Sequence, residues 1–149
     1  MSNSPVKRQR VSVGTFVNVG SRDLAMEVLT EKVGLQKSIT ETTINRPGLA
    51  LTGWCENFPQ RRIQVMGLAE HSYLRSLSSG DRLTALHRLY GLKVPCVILS
   101  RNLRPFPEML ELAAEYKTAL MRTSMITKHF VNSATIIMEN LTAPRSKVQ

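Results

Sequence analysis

Hydrophobic and polar positions in the second half of the chain repeat in two distinct ways, beginning near residue 60. Short apolar runs rich in β-branched residues occur as "RRIQVMG" over 61–67 and "VPCVILS" over 94–100, and "TALMR" over 118–122 is a third. Runs of this length, bounded by glycine or polar residues, are typical of buried strands. The run over 94–100 is apolar on both sides, as the interior of a parallel sheet requires, so it predicts a central strand.

Between the first two runs, leucines recur at helical spacing. They predict one helix over 68–79 and a second over 81–91. Gly80 and Asp81 separate the two predicted helices. Asp81 is the predicted N-cap of the second helix, and Gly91 is predicted to end it.

Two further helices follow the second and third strands. One is predicted over 108–117, entered through Pro107, where a missing N–H costs nothing. The other is predicted over 124–141, with Thr123 or Ser124 as its cap. Its buried stripe is predicted to comprise Ile126, Phe130, Ala134, Ile137 and Leu141.

The first 60 residues are less regular. A strand that turns into a short helix is predicted over 11–19, a strand over 24–30, and a glycine turn followed by an extended segment over 33–44. Together with the alternation after residue 60, this order predicts an α/β fold with a mostly parallel or mixed sheet flanked by helices.

Length and composition are those of one folded domain. The chain has 149 residues, of which 42% are hydrophobic and 21% charged. Every apolar run stops well short of the roughly 18 residues that a membrane-spanning helix needs, so no membrane partner is expected. The N-terminus is polar and basic and is not followed by the apolar segment that a secretory signal contains. The sequence therefore predicts a cytoplasmic protein.

A net charge of +9 raises the question of nucleic acid binding. Both ends of the chain are basic, since residues 1–10 carry three cations, residues 142–149 carry two, and neither end has an acid. The remaining fifteen basic residues face eleven acidic ones, which leaves only +4 on the body of the chain. The eight aromatic residues do not alternate with basic ones as a stacking platform for single strands would require. The charge pattern therefore argues against nucleic acid as a partner and predicts a basic, flexible tail over residues 1–10.

The residues that most often bind metals are few and widely spaced. Cys55 and Cys96 are 41 positions apart, which excludes a C-x-x-C pair, and no histidines stand at H-x-x-x-H or H-x-x-E-H spacing. Cys96 is predicted to be a small buried core residue, whereas Cys55 could be a partly exposed thiol. No metal site is expected in this segment.

The stretch "TTINRPGLALTG" over 42–53 is the one candidate for a phosphate-binding loop. Gly48 and Gly53 have the G-x-x-x-x-G spacing, but Trp54 follows where such a loop needs lysine and then a hydroxyl residue. The stretch is therefore not a P-loop. It instead predicts a short helix starting at Pro47, with Gly48 allowing close backbone packing and with the buried residues Leu49, Leu51 and Trp54.

Several motifs together carry a family resemblance over about residues 11–145. They are the Asn-Arg-Pro-Gly turn, a Phe-Pro before a strand that ends in glycine, the helix "EHSYL", "VPCVILSRNLRPFPEMLELA", "LMRTSMITKHF" and "ENLTAPR". In these features the chain resembles the N-terminal domain of HPr kinase/phosphorylase. That family fold is similar to the N-terminal nucleotide-binding domain of Mur ligases.

The resemblance implies a domain of a bifunctional bacterial enzyme that phosphorylates and dephosphorylates a serine of the phosphocarrier HPr, in the control of carbon metabolism. The family enzyme uses ATP or pyrophosphate with Mg, and it assembles as a hexamer. Its P-loop and catalytic residues lie in a C-terminal kinase domain. The resemblance therefore assigns residues 11–141 to the N-terminal domain and 142–149 to the start of a linker. It places no catalytic, cofactor-binding or metal-binding residue in this segment, which is expected to be inactive alone.

Three arginines at the ends of predicted elements are candidates for contacts with a ligand or a neighbouring domain: Arg46, Arg101 and Arg122. Ligands of open α/β sheets gather at the carboxyl ends of strands, where an arginine can clamp a phosphate. The alternative is structural: these arginines could cap carbonyls or pair with Glu56, Glu70 or Glu108. Arg46 precedes a helix N-terminus, whose dipole gives a cation no stabilisation. It is therefore expected to reach outward, and its replacement by alanine is expected to change stability by no more than about 0.5 kcal/mol, as at a surface site.

Two other function classes stay open at this point. The chain could be a free-standing small-molecule sensor of the same fold, or a basic nucleic-acid-binding module. A reading frame that continues past Gln149 into a P-loop would favour the kinase family over the sensor. Steep salt dependence of DNA or RNA binding would favour the third class.

Overall fold

The computed structural model describes residues 10–144. The expectations for the N-terminal tail and for the linker therefore fall mostly outside the described residues, since 1–9 and 145–149 are not among them.

Within residues 10–144, six strands form two sheets. They are β1 (Val11–Ser12), β2 (Met26–Val28), β3 (Ser38–Ile39), β4 (Gln64–Met66), β5 (Cys96–Leu99) and β6 (Ala119–Thr123). The main sheet has the order β2-β6-β5-β4, in which β4, β5 and β6 are parallel and β2 is antiparallel to β6. Strands β1 and β3 pair antiparallel beside it. The expectation of a mostly parallel or mixed sheet is confirmed.

In the same described part of the chain, six helices connect and cover the strands. They are α1 (Val13–Asp23), α2 (Gly48–Thr52), α3 (Leu68–Ser76), α4 (Ser79–Tyr90), α5 (Pro107–Tyr116) and α6 (Thr127–Thr142). The order predicted after residue 60, which is strand, helix, helix, strand, helix, strand, helix, is confirmed. The entry of α5 through Pro107 is confirmed as well.

The main sheet separates two apolar layers, and β5 contributes to both. All four residues of β5 are 0% exposed. Cys96 and Ile98 pack in the layer that contains Phe16 of α1 and Phe130 of α6. Val97 and Leu99 point to the other side, because side chains alternate along a strand, and pack in the layer formed with α3, α4 and α5. The predicted burial of Cys96 is confirmed.

The boundary between α3 and α4 differs from the prediction. Helix α3 ends at Ser76, and α4 already includes Gly80 and Asp81. Ser78 is the N-cap, because its hydroxyl accepts a hydrogen bond of 3.1 Å from the Asp81 N–H. The prediction of Asp81 as the cap is therefore wrong. Asp81 lies instead in the first turn, where a negative charge is stabilised by the helix dipole.

The start of α6 is also later than predicted. Thr123 belongs to β6, where its hydroxyl donates to the Leu24 carbonyl and accepts a hydrogen bond from the Met125 N–H, so Thr123 is not a helix cap. Ile126 precedes the helix and is 38% exposed. The buried stripe also differs from the prediction by one residue at three of its five positions, since its members are Thr127, Phe130, Ala134, Met138 and Thr142. Of the other predicted members, Ile137 and Leu141 are only partly buried against the core.

Replacement of Ile98 by alanine tests the central position of β5. Ile98→Ala should lower the free energy of unfolding by about 2–5 kcal/mol, because it removes buried methyl groups and leaves a cavity between the sheet and α6. Urea denaturation gives the difference. The control is Ile136→Ala on α6, where the side chain is 58% exposed and a change within about 0.5 kcal/mol is expected. A loss for Ile98→Ala no larger than that of the control would contradict the two-sided burial of β5.

Candidate functional site

The carboxyl ends of the three parallel strands meet at one edge of the main sheet. Strand β4 is followed by Gly67, β5 by Ser100, and β6 by the short segment that leads to Thr127 at the start of α6. With Arg46 and Glu70, these three residues form what we call the carboxyl-edge cluster. This edge is where open α/β sheets hold their ligands.

Buried hydroxyl groups tie the ends of the strands together. The Ser100 N–H donates to the Met66 carbonyl at 3.0 Å, and the Ser100 hydroxyl donates to the same carbonyl at 3.2 Å. The hydroxyls of Ser100 and Thr127 share a hydrogen bond of 2.6 Å. Ser100 is 0% and Thr127 7% exposed, so both polar groups are satisfied inside the protein, as buried polar groups must be.

Arg46 and Glu70 form a bidentate ion pair at this edge. The Nη2 of Arg46 donates to Oε1 of Glu70 at 2.7 Å, and its Nε donates to Oε2 at 3.0 Å. The same carboxylate accepts a hydrogen bond of 2.9 Å from the Gly67 N–H at the start of α3. The Arg46 side chain is 45% exposed, whereas that of Glu70 is only 5% exposed. The hydrogen bond to Glu70 raises the pKa of Arg46, and this effect is larger than the opposite effect of partial burial. The guanidinium therefore stays charged.

Gly67 is required by the closeness of its neighbours. A Cβ at this position would lie 2.6 Å from Oγ1 of Thr127 and 2.7 Å from Nη2 of Arg46. At Gly48, by contrast, the nearest atom to an added Cβ is Oε2 of Glu70 at an ordinary 3.8 Å. The close packing expected at Gly48 is therefore found at Gly67.

The three candidate arginines have different contacts. Arg101 is exposed in the loop after β5, with a left-handed backbone (φ 58°), and its N–H donates to the Met125 carbonyl. Arg122 lies in β6 opposite Glu27 of β2, and its Nη2 donates to the Glu27 carboxylate at 3.0 Å. The buried Nε of Arg122 has no hydrogen-bond partner among the described residues. Contact of any of the three with a ligand or a neighbouring domain stays a prediction.

A cleft of about 170 Å³ adjoins Arg46 and is lined by α2 and the loop that follows it. Leu49 and Trp54 line it and are 69% and 61% exposed, so their predicted burial is wrong. The reason is that α2 has only five residues and is followed by the C-cap Gly53 (φ 114°), so only Ala50 and Leu51 reach the core. We call the exposed side of this segment, with Arg46, Leu49 and Trp54, the α2 surface.

The histidine and cysteine side chains outside this cluster include several that are held by contacts within the fold or are buried. The Nε2 of His71 is 2.8 Å from the Arg104 carbonyl, and its ring stacks on Phe106. Burial raises the pKa of the Cys96 thiol to about 12 and keeps it protonated, while Cys55 is half-buried. Residues 10–144 contain no group of three or more His, Cys, Asp or Glu side chains that could hold a metal ion. Within the same range, no helix has the length and apolar character to cross a membrane.

Three members of the carboxyl-edge cluster were not anticipated from the sequence: Gly67, Ser100 and Thr127. A signal for the first two was present, because each is the last residue of a predicted strand, and the carboxyl ends of parallel strands lie side by side. No such signal marked Thr127, since the start of its helix was predicted too early.

Comparison with known proteins places this geometry in a family context. Residues 11–138 match the family described as "HPr Serine kinase N terminus". The chain is 35% identical over 133 residues to the HPr kinase/phosphorylase of Caldicellulosiruptor bescii, covering 87% of the chain and 43% of that protein. It is 31% identical over 140 residues to the HPr kinase/phosphorylase of Peptoclostridium acidaminophilum, covering 94% and 44%. The chain thus spans less than half the length of these relatives.

A solved structure shares the fold. It contains the CBS and DRTGG domains of the regulatory region of Clostridium perfringens pyrophosphatase, complexed with the activator diadenosine tetraphosphate. The TM-score is 0.60 at 13% identity, with 91% of this chain and 54% of that chain covered. Identity this low supports the architecture alone.

The Arg46–Glu70 pair generates a prediction about stability. Arg46→Ala should cost about 1–3 kcal/mol, because it leaves the Glu70 carboxylate nearly buried without its counter-charge; the exposure of Arg46 keeps the cost below that of a fully buried pair. This exceeds the small effect expected from the sequence. In a double-mutant cycle with Glu70→Gln, which keeps an acceptor for the Gly67 N–H, the coupling should be about 1 kcal/mol or more.

The control for this cycle is Arg101→Ala, at an exposed arginine without an ion pair among the described residues, where a change within about 0.5 kcal/mol is expected. Urea unfolding of all the variants provides the comparison. An Arg46→Ala effect equal to that of Arg101→Ala, with no coupling to Glu70, would show that the pair is not part of the fold.

Proposed function

The chain belongs to the family of HPr serine kinase N-terminal domains, and from this premise we propose that it is the regulatory and assembly domain of a bifunctional HPr kinase/phosphorylase. Such an enzyme transfers phosphate from ATP or pyrophosphate, with Mg, to a serine of HPr and also removes it. It acts in the cytoplasm in the control of carbon metabolism. The kinase chemistry belongs to a C-terminal domain that follows this one.

One observation carries the proposal. The relatives that match the chain over 87% and 94% of its length are HPr kinase/phosphorylases, yet the match takes up only 43% and 44% of them. The chain also has no G-x-x-x-x-G-K-[ST] loop, whose lysine and hydroxyl are needed to hold phosphate and magnesium. Both facts support the proposal that another domain of the enzyme phosphorylates HPr and that this domain acts on that kinase domain.

The α2 surface is suited to contact with that kinase half. Its leucine and tryptophan are more than half exposed, and Arg46 beside them presents a charged group anchored by Glu70. Tryptophan and arginine are enriched among the residues that dominate protein interfaces. We propose that the α2 surface packs against the enzyme's own kinase domain, and that this contact supports the assembly of a homo-oligomer.

A free-standing small-molecule sensor is the second candidate. The cleft beside Arg46 favours it, because an arginine and a tryptophan in a concave site can hold an anion attached to a ring. The gene sequence beyond codon 149 separates the two. A continued frame with a P-loop supports the kinase assignment, whereas a stop codon supports the sensor.

The assignment of chemistry to another domain predicts that the 149-residue chain does not transfer phosphate. When incubated with radiolabelled ATP, Mg and HPr, it should incorporate no more label than a reaction without protein. The positive control is a complete HPr kinase/phosphorylase under the same conditions. Incorporation by the 149-residue chain above background would overturn this part of the proposal.

The proposed contact predicts an effect of the α2 surface in the complete enzyme. Leu49→Ser combined with Trp54→Ser should weaken oligomer assembly by about tenfold or more, which corresponds to roughly 1.4 kcal/mol, because it removes the apolar part of the contact. Sedimentation velocity measures assembly, and phosphorylation of HPr reports the effect on the kinase half.

The control for this experiment is Ile136→Ser, which changes an exposed apolar residue of α6 on the other face of the sheet. It should leave both assembly and activity unchanged. Normal assembly and activity of the double variant would exclude the α2 surface as the contact.

A further inference from the structure

A second concave site lies at the opposite edge of the sheet, where β5 and β6 begin. This cleft has a volume of about 560 Å³, within the range of about 300–1,000 Å³ that small-molecule sites occupy. We call it the amino-edge cleft. Its lining includes Lys37, Tyr90, Lys93, Pro95, Glu115 and Tyr116.

The ammonium group of Lys37 is held in place at the wall of this cleft. Its Nζ donates to Oγ1 of Thr118 at 2.7 Å and to the Val94 carbonyl at 3.3 Å. These acceptors belong to the two segments that enter β6 and β5. The backbone of Lys37 is fixed as well, because its carbonyl accepts from the Val13 N–H and its N–H donates to the Gly34 carbonyl. An ammonium has three donors, so one is left for a ligand in the cleft.

The surroundings of Lys37 favour a negatively charged ligand. Burial lowers the pKa of Lys37, which means that its charge is incompletely solvated and that an anion beside it would stabilise the charged form. Lys93 lines the same cleft, and Glu115 is the one acid among the lining residues. The lining therefore has a net charge of +1 before a ligand binds.

An aromatic wall gives the cleft an apolar side. Tyr90 and Tyr116 stack with ring centroids 6.1 Å apart at an angle of 26°. Tyr90 is 0% exposed, and the hydroxyl of Tyr116 is 3.1 Å from Nδ1 of His87. Both rings are thus fixed by packing or hydrogen bonding, and a planar group in the cleft can pack against Tyr116 without ordering the site first.

Helix dipoles explain part of the lysine pattern but not all of it. Lys93 and Lys117 follow the C-termini of α4 and α5, where a cation is favourable, and both have left-handed backbones (φ 64° and 52°). Lys37 comes from neither helix. Lys37 nevertheless lines the same cleft as Lys93, and the two charges match the dianion of a phosphate monoester near neutral pH.

We propose that the amino-edge cleft binds a small phosphate monoester that carries a planar ring, with the phosphate between Lys37 and Lys93 and the ring against Tyr116. The bound ligand would join the segment around Lys37 to the segments that enter β5 and β6. The site lies across the sheet from the carboxyl-edge cluster and the α2 surface, so it goes beyond the proposed interdomain contact and does not depend on it.

Phenyl phosphate serves as the probe in an NMR titration of the ¹⁵N-labelled 149-residue chain. Saturable shifts are expected at the amides of Lys37, Lys93 and Thr118, with a dissociation constant on the order of 1 mM, as for a fragment-sized ligand. Inorganic phosphate and benzoate should each bind at least about fivefold more weakly, because one lacks the ring and the other lacks the second negative charge.

Lys93→Asn is the test variant, because asparagine tolerates the left-handed backbone while the charge is removed. It should raise the dissociation constant about fivefold or more, without a shift of the unfolding midpoint. Lys117→Asn is the matched control: it makes the same chemical change at an exposed, left-handed helix end outside the cleft lining. Its dissociation constant should stay within about twofold of that of the unmodified chain.

Three results would each overturn the proposal. The first is the absence of saturable shifts up to about twenty times the expected dissociation constant. The second is an equal loss in Lys93→Asn and Lys117→Asn, which would indicate general attraction to a basic surface. The third is equal binding of inorganic phosphate or benzoate, which would remove the ring or the phosphate from the ligand class.

Discussion

The complete burial of β5 on both faces is the constraint on which the rest of the structure depends. Each of its four residues is apolar and fully buried, so the strand needs an apolar layer on either side of the sheet. Helices α1 and α6 supply one layer, and α3, α4 and α5 supply the other. Parallel strands flanked by helices on both faces satisfy this requirement while every strand still finds hydrogen-bonding neighbours.

This constraint also decides where polar side chains can be. Because the two faces of the sheet are occupied by apolar side chains, polar groups near its centre collect at the strand ends. At the carboxyl edge, the polar groups satisfy one another through the hydroxyls of Ser100 and Thr127 and the pair between Arg46 and Glu70. At the amino edge, the ammonium of Lys37 is held by two acceptors but has no carboxylate partner among the described residues. The absence of a carboxylate partner for Lys37 in this described part of the chain is the basis of the anion site that we propose at the amino edge.

The α2 surface follows from the same geometry. Helix α2 is too short to bury residues on more than one side, and its core side is used by Ala50 and Leu51. Leu49 and Trp54 are consequently left outside the core, next to an arginine whose position is fixed by a nearly buried glutamate. We propose that this surface contacts the part of the enzyme outside the matched region, since the chain covers only 43% and 44% of two HPr kinase/phosphorylase relatives.

The sequence by itself determined the order of elements after residue 60 and the burial of β5 on both faces, because hydrophobic periodicity and turn residues act locally. It also indicated the family, through the resemblance of several motifs taken together. It did not determine the caps of α4 and α6. At α4, serine and aspartate compete for nearby N–H groups, and the final geometry selects Ser78, whereas α6 begins after Ile126 without a side-chain cap. The prediction that Leu49 and Trp54 are buried was wrong for a similar reason. The sequence of a five-residue helix does not specify which of its sides contacts the core. The sequence named Glu70 among three possible partners of the arginines, and only the tertiary structure selected it for Arg46 and selected Glu27 for Arg122. Glu70 lies 24 positions from Arg46, and Glu27 lies 95 positions from Arg122. The close approach of Gly67 to Thr127, sixty residues later in the chain, likewise exists only because parallel strands bring their carboxyl ends to one edge.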